Sequence, residues 1–312
     1  MDGALLYLIG LLTMGGIYAI LALGLNIQWG FTGLFNLGIA GFFAVGAYAT
    51  AILAARPAEA HLGGFALPIP LGLLAAALAS AAVAWMIGRI TLALKADYLA
   101  IATIGISEVL RLVLKNEQAL TNGAIGIAHI PRPFEGLARP WDEIAFLLLV
   151  AGIVIALYGA LERARRSPWG RIMRAVRDDE ESADAAGKDT FAFKLQAFTL
   201  GGFVMGLAGG IYAHYVKFIS PEAFEPLMST FIVWVMLVLG GSGNNKGAIL
   251  GALVVWTLWS ATEILTSQLP LEWSTRAAYI RVFLIGLVLQ FVLQRYSRGI
   301  LPEKRLKSVA DD

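Results

Sequence analysis

Apolar positions in this chain fall in long unbroken runs. They show neither the alternation of a half-buried strand nor the narrow stripe of a surface helix. Nine runs stand out: Leu5–Leu25, Phe31–Ala54, Pro68–Leu94, Tyr98–Leu114, Ile144–Leu161, Phe191–Tyr215, Leu227–Gly240, Ala248–Leu265 and Ala278–Gln294. A bilayer core of about 30 Å takes roughly 20 helical residues per crossing. The pattern therefore predicts an all-α, polytopic integral membrane helical bundle of about nine spans, or eight or ten if a run is re-entrant or split. The seventh run is short for a crossing; it is tilted, re-entrant, or continuous with the "ISPEAFE" before it. A membrane barrel would instead alternate in segments of about ten residues. Residues 1–312 read as one transmembrane domain, with long polar connections at about 162–190 and 115–143.

Composition strengthens this picture. The chain is 58% hydrophobic and 15% charged, with a mean hydropathy of +0.72, where a soluble domain carries about 25% charged residues. The first run is not read as a cleaved signal, because "MDGALLYL" has no positive start and a second run follows at once. A net charge of +2 argues against a nucleic-acid partner. There is no cysteine, which excludes thiolate chemistry, and His61, His129 and His214 stand in no metal-ligand spacing. An intramembrane enzyme has little to work with.

Basic residues set the expected orientation. If the Arg163–Lys194 connection is cytoplasmic and the runs alternate, sixteen of the 24 basic residues lie inside, among them Arg89, Lys95, Lys246, Arg295, Arg298, Lys304, Arg305 and Lys307. The N-terminus then falls outside and the C-terminus in the cytoplasm.

The 162–189 connection holds seven acids and seven bases, far more than a joining loop needs. Ser167-Pro168 is an N-cap followed by proline at the first helical position. Ile172 and Val176 then share a face, with Arg171 and Arg174 on others. Asp178 and Glu181 have capping-box spacing, Asp179 and Glu180 join them near the helix start, and Gly187 supplies a stop. The prediction is two short helices end to end at the cytoplasmic surface. They form either a docking surface or a solvated loop whose arginines enforce topology.

Other polar positions sit at membrane depth. Glu108 and Arg111, three apart, read as facing partners. Asn26, Gln28 and Asn36 flank "WGFTG", where Gly30 and Gly33 can break a helix. Such breaks hold substrate contacts in many transporters, though the same side chains also serve as hydrogen bonds between helices. His214 and Lys217 read as interfacial at an outer span end, and Glu263 lies near another. Residues at four-residue spacing, at Gly202, Gly206 and Gly210, at Gly38, Phe42 and Gly46, and at Gly247 and Gly251, are mostly small and predict close helix contacts. "GGSGNNKG" is not a phosphate-binding loop, because Lys246 precedes Gly247 and no hydroxyl residue follows. It reads as a tight turn between spans.

"GRIMRAVRDDEESADAAG" resembles the cytoplasmic coupling loop of ABC-importer permeases, whose signature ends in an Ala-Ala-Gly-like triplet. "NLGIAGFFAVGAYATAIL", "DYLAIATIGISEVLRLVLKN", "LTNGAIGI", "GLAGGIYAHYVKFISPEAF" and "VLGGSGNNKGAILGA" extend the likeness in order along most of the chain. The resemblance is to the branched-chain amino acid permease family. It departs at Asp184, where a central Glu is more usual, and "KDTFAFK" is only loosely alike. The resemblance implies a permease subunit of a bacterial inner-membrane importer for branched-chain amino acids or a similar small polar solute. Urea and amide permeases of the same fold are the alternative, and an ATPase-independent secondary transporter is a further one. It implies a homologous second permease, two cytoplasmic ATPase subunits and an extracytoplasmic substrate-binding protein received by the 115–143 loop. This chain would bind no cofactor and hydrolyse nothing, with ATP and Mg on the ATPases. The coupling contact would run from Asp178 through Asp179, Glu180, Glu181, Asp184, Ala185 and Ala186 to Gly187, with Arg174 and Arg177 as flanking anchors. The substrate path would use Asn26, Gln28, Asn36, Thr103 and Glu108.

Overall fold

The computed structural model describes residues 2–57, 62–267 and 298–303, with single positions between 276 and 295. His61, most of the ninth run and the basic residues Lys304, Arg305 and Lys307 lie outside the described residues. Eleven α-helices are described: α1 (Asp2–Leu25), α2 (Ile39–Ala54), α3 (Ile69–Thr91), α4 (Ala96–Asn116), α5 (Gln118–Thr121), α6 (Trp141–Arg166), α7 (Pro168–Asp178), α8 (Glu180–Ala185), α9 (Thr190–Val216), α10 (Pro226–Gly240) and α11 (Asn245–Ser267). The extended pairing among the described residues is a single antiparallel bridge between Ile127 and Ile219.

Six described helical stretches are long and apolar enough to cross a membrane: Gly3–Gly30, Ile69–Thr91, Trp141–Arg166, Thr190–Val216, Pro221–Gly240 and Asn245–Ile264. The chain is thus an all-helical membrane protein, but this number falls short of nine for identifiable reasons. The second run is not one helix. Its first part, residues 33–38, has no regular structure, and α2 that follows has only 16 residues. The fourth run forms α4 with 21 residues, but carries Asp97, Glu108, Arg111 and Lys115. The seventh run is lengthened by a 3₁₀ turn, Pro221–Phe224, which brings "ISPEAFE" into the same apolar stretch.

Glycine explains the packing around α9, which lies chiefly against α2 and α3. A Cβ on Gly46 would overlap the carbonyl of Gly206, and one on Gly209 would overlap the carbonyl of Phe43. The small stripes are therefore places where backbone meets backbone. Lipid tails offer no hydrophobic drive between helices, so this close fit is what holds them together.

The connections gather on two faces. On one lie Gly30, the Glu162–Asp189 region, the Gly241–Asn244 turn and the segment ending at Glu303. On the other lie residues 62–67, 117–135 and 217–222, joined by bonds such as Leu62 N to Ala119 O (2.6 Å) and Ile127 N to Ile219 O (2.9 Å). His214, expected at an interface, is instead buried on that second side. Its Nδ1 is 2.6 Å from the Pro131 carbonyl and its Nε2 3.3 Å from Thr50 Oγ1. The 115–143 loop folds over the end of α9 and covers it. Lys217 reaches out of this region to Glu135 (2.6 Å) and holds that carboxyl below the usual range.

Candidate functional site

Two structures on the first face carry the candidate residues. One is the pair of short helices α7 and α8. Ser167 precedes α7 in an extended conformation with Pro168 in its first turn, as the sequence implies, but its hydroxyl donates back to Ala164 O (2.6 Å) and makes no cap bond to α7. The face that α7 buries is Gly170, Met173 and Val176, however, and not Ile172 with Val176. Ile172 is partly exposed because α7 is approached from the bundle along its three-apart ridge. The cap of α8 also lies one residue later than expected. Asp179, not Asp178, accepts the Ser182 amide (3.1 Å) and hydroxyl (2.5 Å). Asp178 is the last residue of α7. Ser182, not Glu181, completes the cap.

The far end of α8 closes by a Schellman arrangement. Gly187, at φ +76°, donates to Asp184 O (2.8 Å), and Lys188 N donates to Ala183 O (3.2 Å). Asp189 then caps α9 through the Ala192 amide (2.9 Å). Capping fixes the six residues of α8 as a helix that would be marginal alone. Glu180, Glu181, Asp184, Ala185, Ala186 and Gly187 are all exposed. Between α7 and α8 lies an open cleft of about 520 Å³. Ile172, Ala175, Ala183 and Ala186 form its floor and Arg171, Asp178, Asp179 and Lys188 its rim.

Arg174 and Arg177 do not project with α8. Both turn back into their own chain. Arg174 donates to Arg165 O (3.0 Å), and burial lowers its pKa. Arg177 donates through Nη1 to Gly30 O (2.5 Å) and to Glu303 Oε2 (2.9 Å), and through Nε to Asp178 (3.0 Å).

The second structure is a break in the first membrane helix. After Leu25 the chain makes a π-helical turn, Asn26–Gly30, and unwinds by Gly33, whose φ is +70°. A π-turn leaves backbone groups out of register, and no water reaches them in lipid. Around the break, side chains tie the turn and the unwound segment to neighbouring parts of the chain. Asn26 Oδ1 accepts the Gly243 amide (2.8 Å), and its Nδ2 donates to Asn245 Oδ1 (3.0 Å). Gln28 Nε2 donates to Phe198 O of α9 (2.9 Å), and its Oε1 accepts from Asn36 Nδ2 (2.6 Å). Thr103 Oγ1 accepts the Leu37 amide (2.9 Å), while Trp234 Nε1 donates to Asn36 O (2.9 Å). Asn26, Gln28 and Asn36 are 0% exposed and Thr103 is 2% exposed, so in this conformation each is occupied by protein.

The structure thus brings four of the five path residues together around one break. Glu108 stays apart. It pairs twice with Arg111 (2.6 and 2.9 Å) towards the opposite face, where Arg111 and Lys115 also meet Glu222. Sequence reasoning missed Asn245, Thr230 and Trp234. Thr230 donates to Leu37 O (3.2 Å), and Asn245 extends the network to Glu162 (3.3 Å), which pairs with Arg165 and Arg166. The available signal is the polar Asn244-Asn245 pair in the "GGSGNNKG" turn. That turn joins α10 to α11, with Gly241 at φ +113° and Gly243 at φ +80°.

A family model described as "Branched-chain amino acid transport system / permease component" matches residues 7–293. The high-affinity branched-chain amino acid transport system permease protein LivM of Salmonella typhimurium is 34% identical, over 94% of this chain and 69% of its own. The probable LivM of Methanocaldococcus jannaschii is 28% identical, over 93% and 91%. The permease protein LivH of Salmonella typhimurium is 25% identical, over 89% and 91%. No solved structure matches the chain. With a family match across nearly all of its membrane helices, the chain belongs to the permease components of branched-chain amino acid transport systems.

Proposed function

We propose that this chain is the membrane-spanning subunit through which a branched-chain amino acid, or a similar small polar solute, enters the cell, powered by two separate ATPase subunits. The observation that carries the coupling reading is α8, a doubly capped, fully presented acidic helix beside an apolar-floored cleft. An ATPase groove with basic edges would take Glu180, Glu181 and Asp184 against its rim and the Ile172–Ala183 floor against an apolar ridge. ATP and Mg belong to those subunits and not to this chain. A second, related permease completes the pathway, with an extracytoplasmic binding protein delivering solute at the 115–143 face. Residues 1–312 act as one domain in the inner membrane.

Nine crossings fit this role, with the N-terminus outside and the C-terminus in the cytoplasm. The support is geometric. Tyr215 at the outer end of α9 reaches Gly10 near the start of α1 (3.5 Å). Residues 33–38 with α2, and α4, serve as second and fourth crossings. α11 leaves the α7 face at Asn245, yet Ile300 and Glu303 are back on it, bonded to Leu239 and Arg177. The ninth run, Ala278–Gln294, falls mostly outside the described residues.

The test is reconstitution of the whole transporter in proteoliposomes with labelled leucine, isoleucine, valine, urea and a short amide. ATP-dependent uptake of the branched-chain amino acids is expected, together with co-purifying ATPases. Reversing charge at Glu180, Glu181 and Asp184 is expected to release the ATPases. ATPases that stay bound to this variant would defeat the coupling reading.

A further inference from the structure

We propose that Arg177 does not touch the ATPase. It is the positioning residue that carries movement of the cytoplasmic helices to the broken membrane helix. This inference rests on the coupling reading above and assigns the next link inward. Arg177 stands in the last turn of α7, and its guanidinium bonds the carbonyl of Gly30, the last residue of the π-turn. One cation therefore sits in the last turn of α7 and bonds the last carbonyl of the π-turn, positions where carbonyl charge favours it, and Glu303 holds it from another side.

The attachment is close as well as charged. A Cβ on Gly33 would lie 3.2 Å from Arg177 Cγ, and Gly33 already has φ +70°. The arginine stem thus lies against the point where the helix unwinds. A second connection reaches the other end of the same turn. Arg174 bonds the Arg165 carbonyl, Arg165 pairs with Glu162 (2.7 Å), Glu162 accepts from Asn245, and Asn245 accepts from Asn26. The turn is gripped at its first and last residues from the α7 side. Between them, Gln28 joins it to α9 and to Asn36 of the unwound segment. Displacement of α7 therefore loads the Gln28–Asn36 bond and residues 33–38, whereas α8 meets the bundle through Ala183 and the Glu180–Lys194 pair on α9 (2.7 Å) and makes no bond to the π-turn.

The test uses the complete transporter in proteoliposomes, with Arg177→Gln and Arg177→Lys beside the unaltered chain. Both variants are expected to retain their ATPases. Solute moved per ATP hydrolysed is expected to fall about tenfold in Arg177→Gln, as for loss of one charge-assisted hydrogen bond, and less in Arg177→Lys. Loss of ATPase binding, or an unchanged ratio of solute to ATP, overturns the proposal. A second measurement needs no change at Arg177. Because the chain has no cysteine, spin labels at Ala175→Cys and Trp29→Cys, the latter inside the π-turn that Arg177 holds, report one distance. That distance is expected to stay the same in nucleotide-free and ATP-trapped states, and a change would overturn the link. Failure of the coupling reading looks different: ATPases remain on the α8 charge-reversed chain, whatever Arg177 does.

Discussion

Replacing Asn26 by alanine separates a structural role for the polar cluster from a role in touching solute. The substitution removes one donor and one acceptor from a fully buried site. It leaves the Gly243 amide and Asn245 Oδ1 without partners. An orphaned buried polar group costs about 1–3 kcal/mol, so Asn26→Ala is expected to destabilise by about 2–4 kcal/mol. Asn245→Ala orphans the Asn26 donor and removes one of several bonds to Glu162, which keeps Arg165 and Arg166. The double variant leaves neither amide facing a void. The two effects should therefore fall short of additive by about 1–2 kcal/mol, near the upper end for interhelical pairs in membranes. Denaturant titration in mixed micelles, followed by tryptophan fluorescence, measures all four corners of the cycle. Additivity within about 0.5 kcal/mol, combined with a raised KM for uptake, would refute the structural assignment and return Asn26 to the solute path.

Three further expectations follow from other parts of the fold. Gly209→Ala drives a methyl into the Phe43 carbonyl and should destabilise the chain by about 1–3 kcal/mol in thermal melts, whereas Gly152→Ala, with open space around it, should not. Arg132→Ala strands Glu143 and takes the guanidinium off the Phe146 and Tyr215 rings, and should cost about 3–5 kcal/mol; replacing both partners by apolar residues should recover most of it in the same melts. The Ser182 hydroxyl and amide hold the Asp179 carboxyl below its usual range. Its cap is therefore in full force above the ordinary aspartate pKa and lost as pH falls through the depressed value. Hydrogen-exchange protection of residues 180–186, taken relative to the intrinsic rate at each pH, should hold at neutral pH and fall in acid, with Asp179→Asn flattening the response.

The helical class, the approximate positions of most spans and the two short polar helices were legible because each is written locally, in apolar run length or in cap residues. The break at Gly30 and Gly33 was legible for the same reason. Its extent was not, since an apolar stretch such as "FTGLFNLGI" reads alike whether its backbone is helical or unwound. Whether Ile172 or Met173 faces inward depends on the direction from which the bundle approaches α7. The shift of the cap from Asp178 to Asp179 turned on Ser182, one residue outside the capping-box pattern. Asn26 and Asn245 are 219 positions apart, and no local spacing joins them. Arg174 and Arg177 look like surface charge in sequence, and only the fold shows that the broken helix and Glu303 lie beneath them.

The backbone-on-backbone seams at Gly46, Gly206 and Gly209 bear on how such a machine can rock. Side chains can slide past one another by changing rotamer, but a carbonyl seated against a Cα has nothing to rearrange. Shear along α9 would drive main-chain atoms together within an ångström or so. The trio α2, α3 and α9 is thus a keel that tilts only as one piece, and the loose joint beside it is the unwound stretch at 33–38.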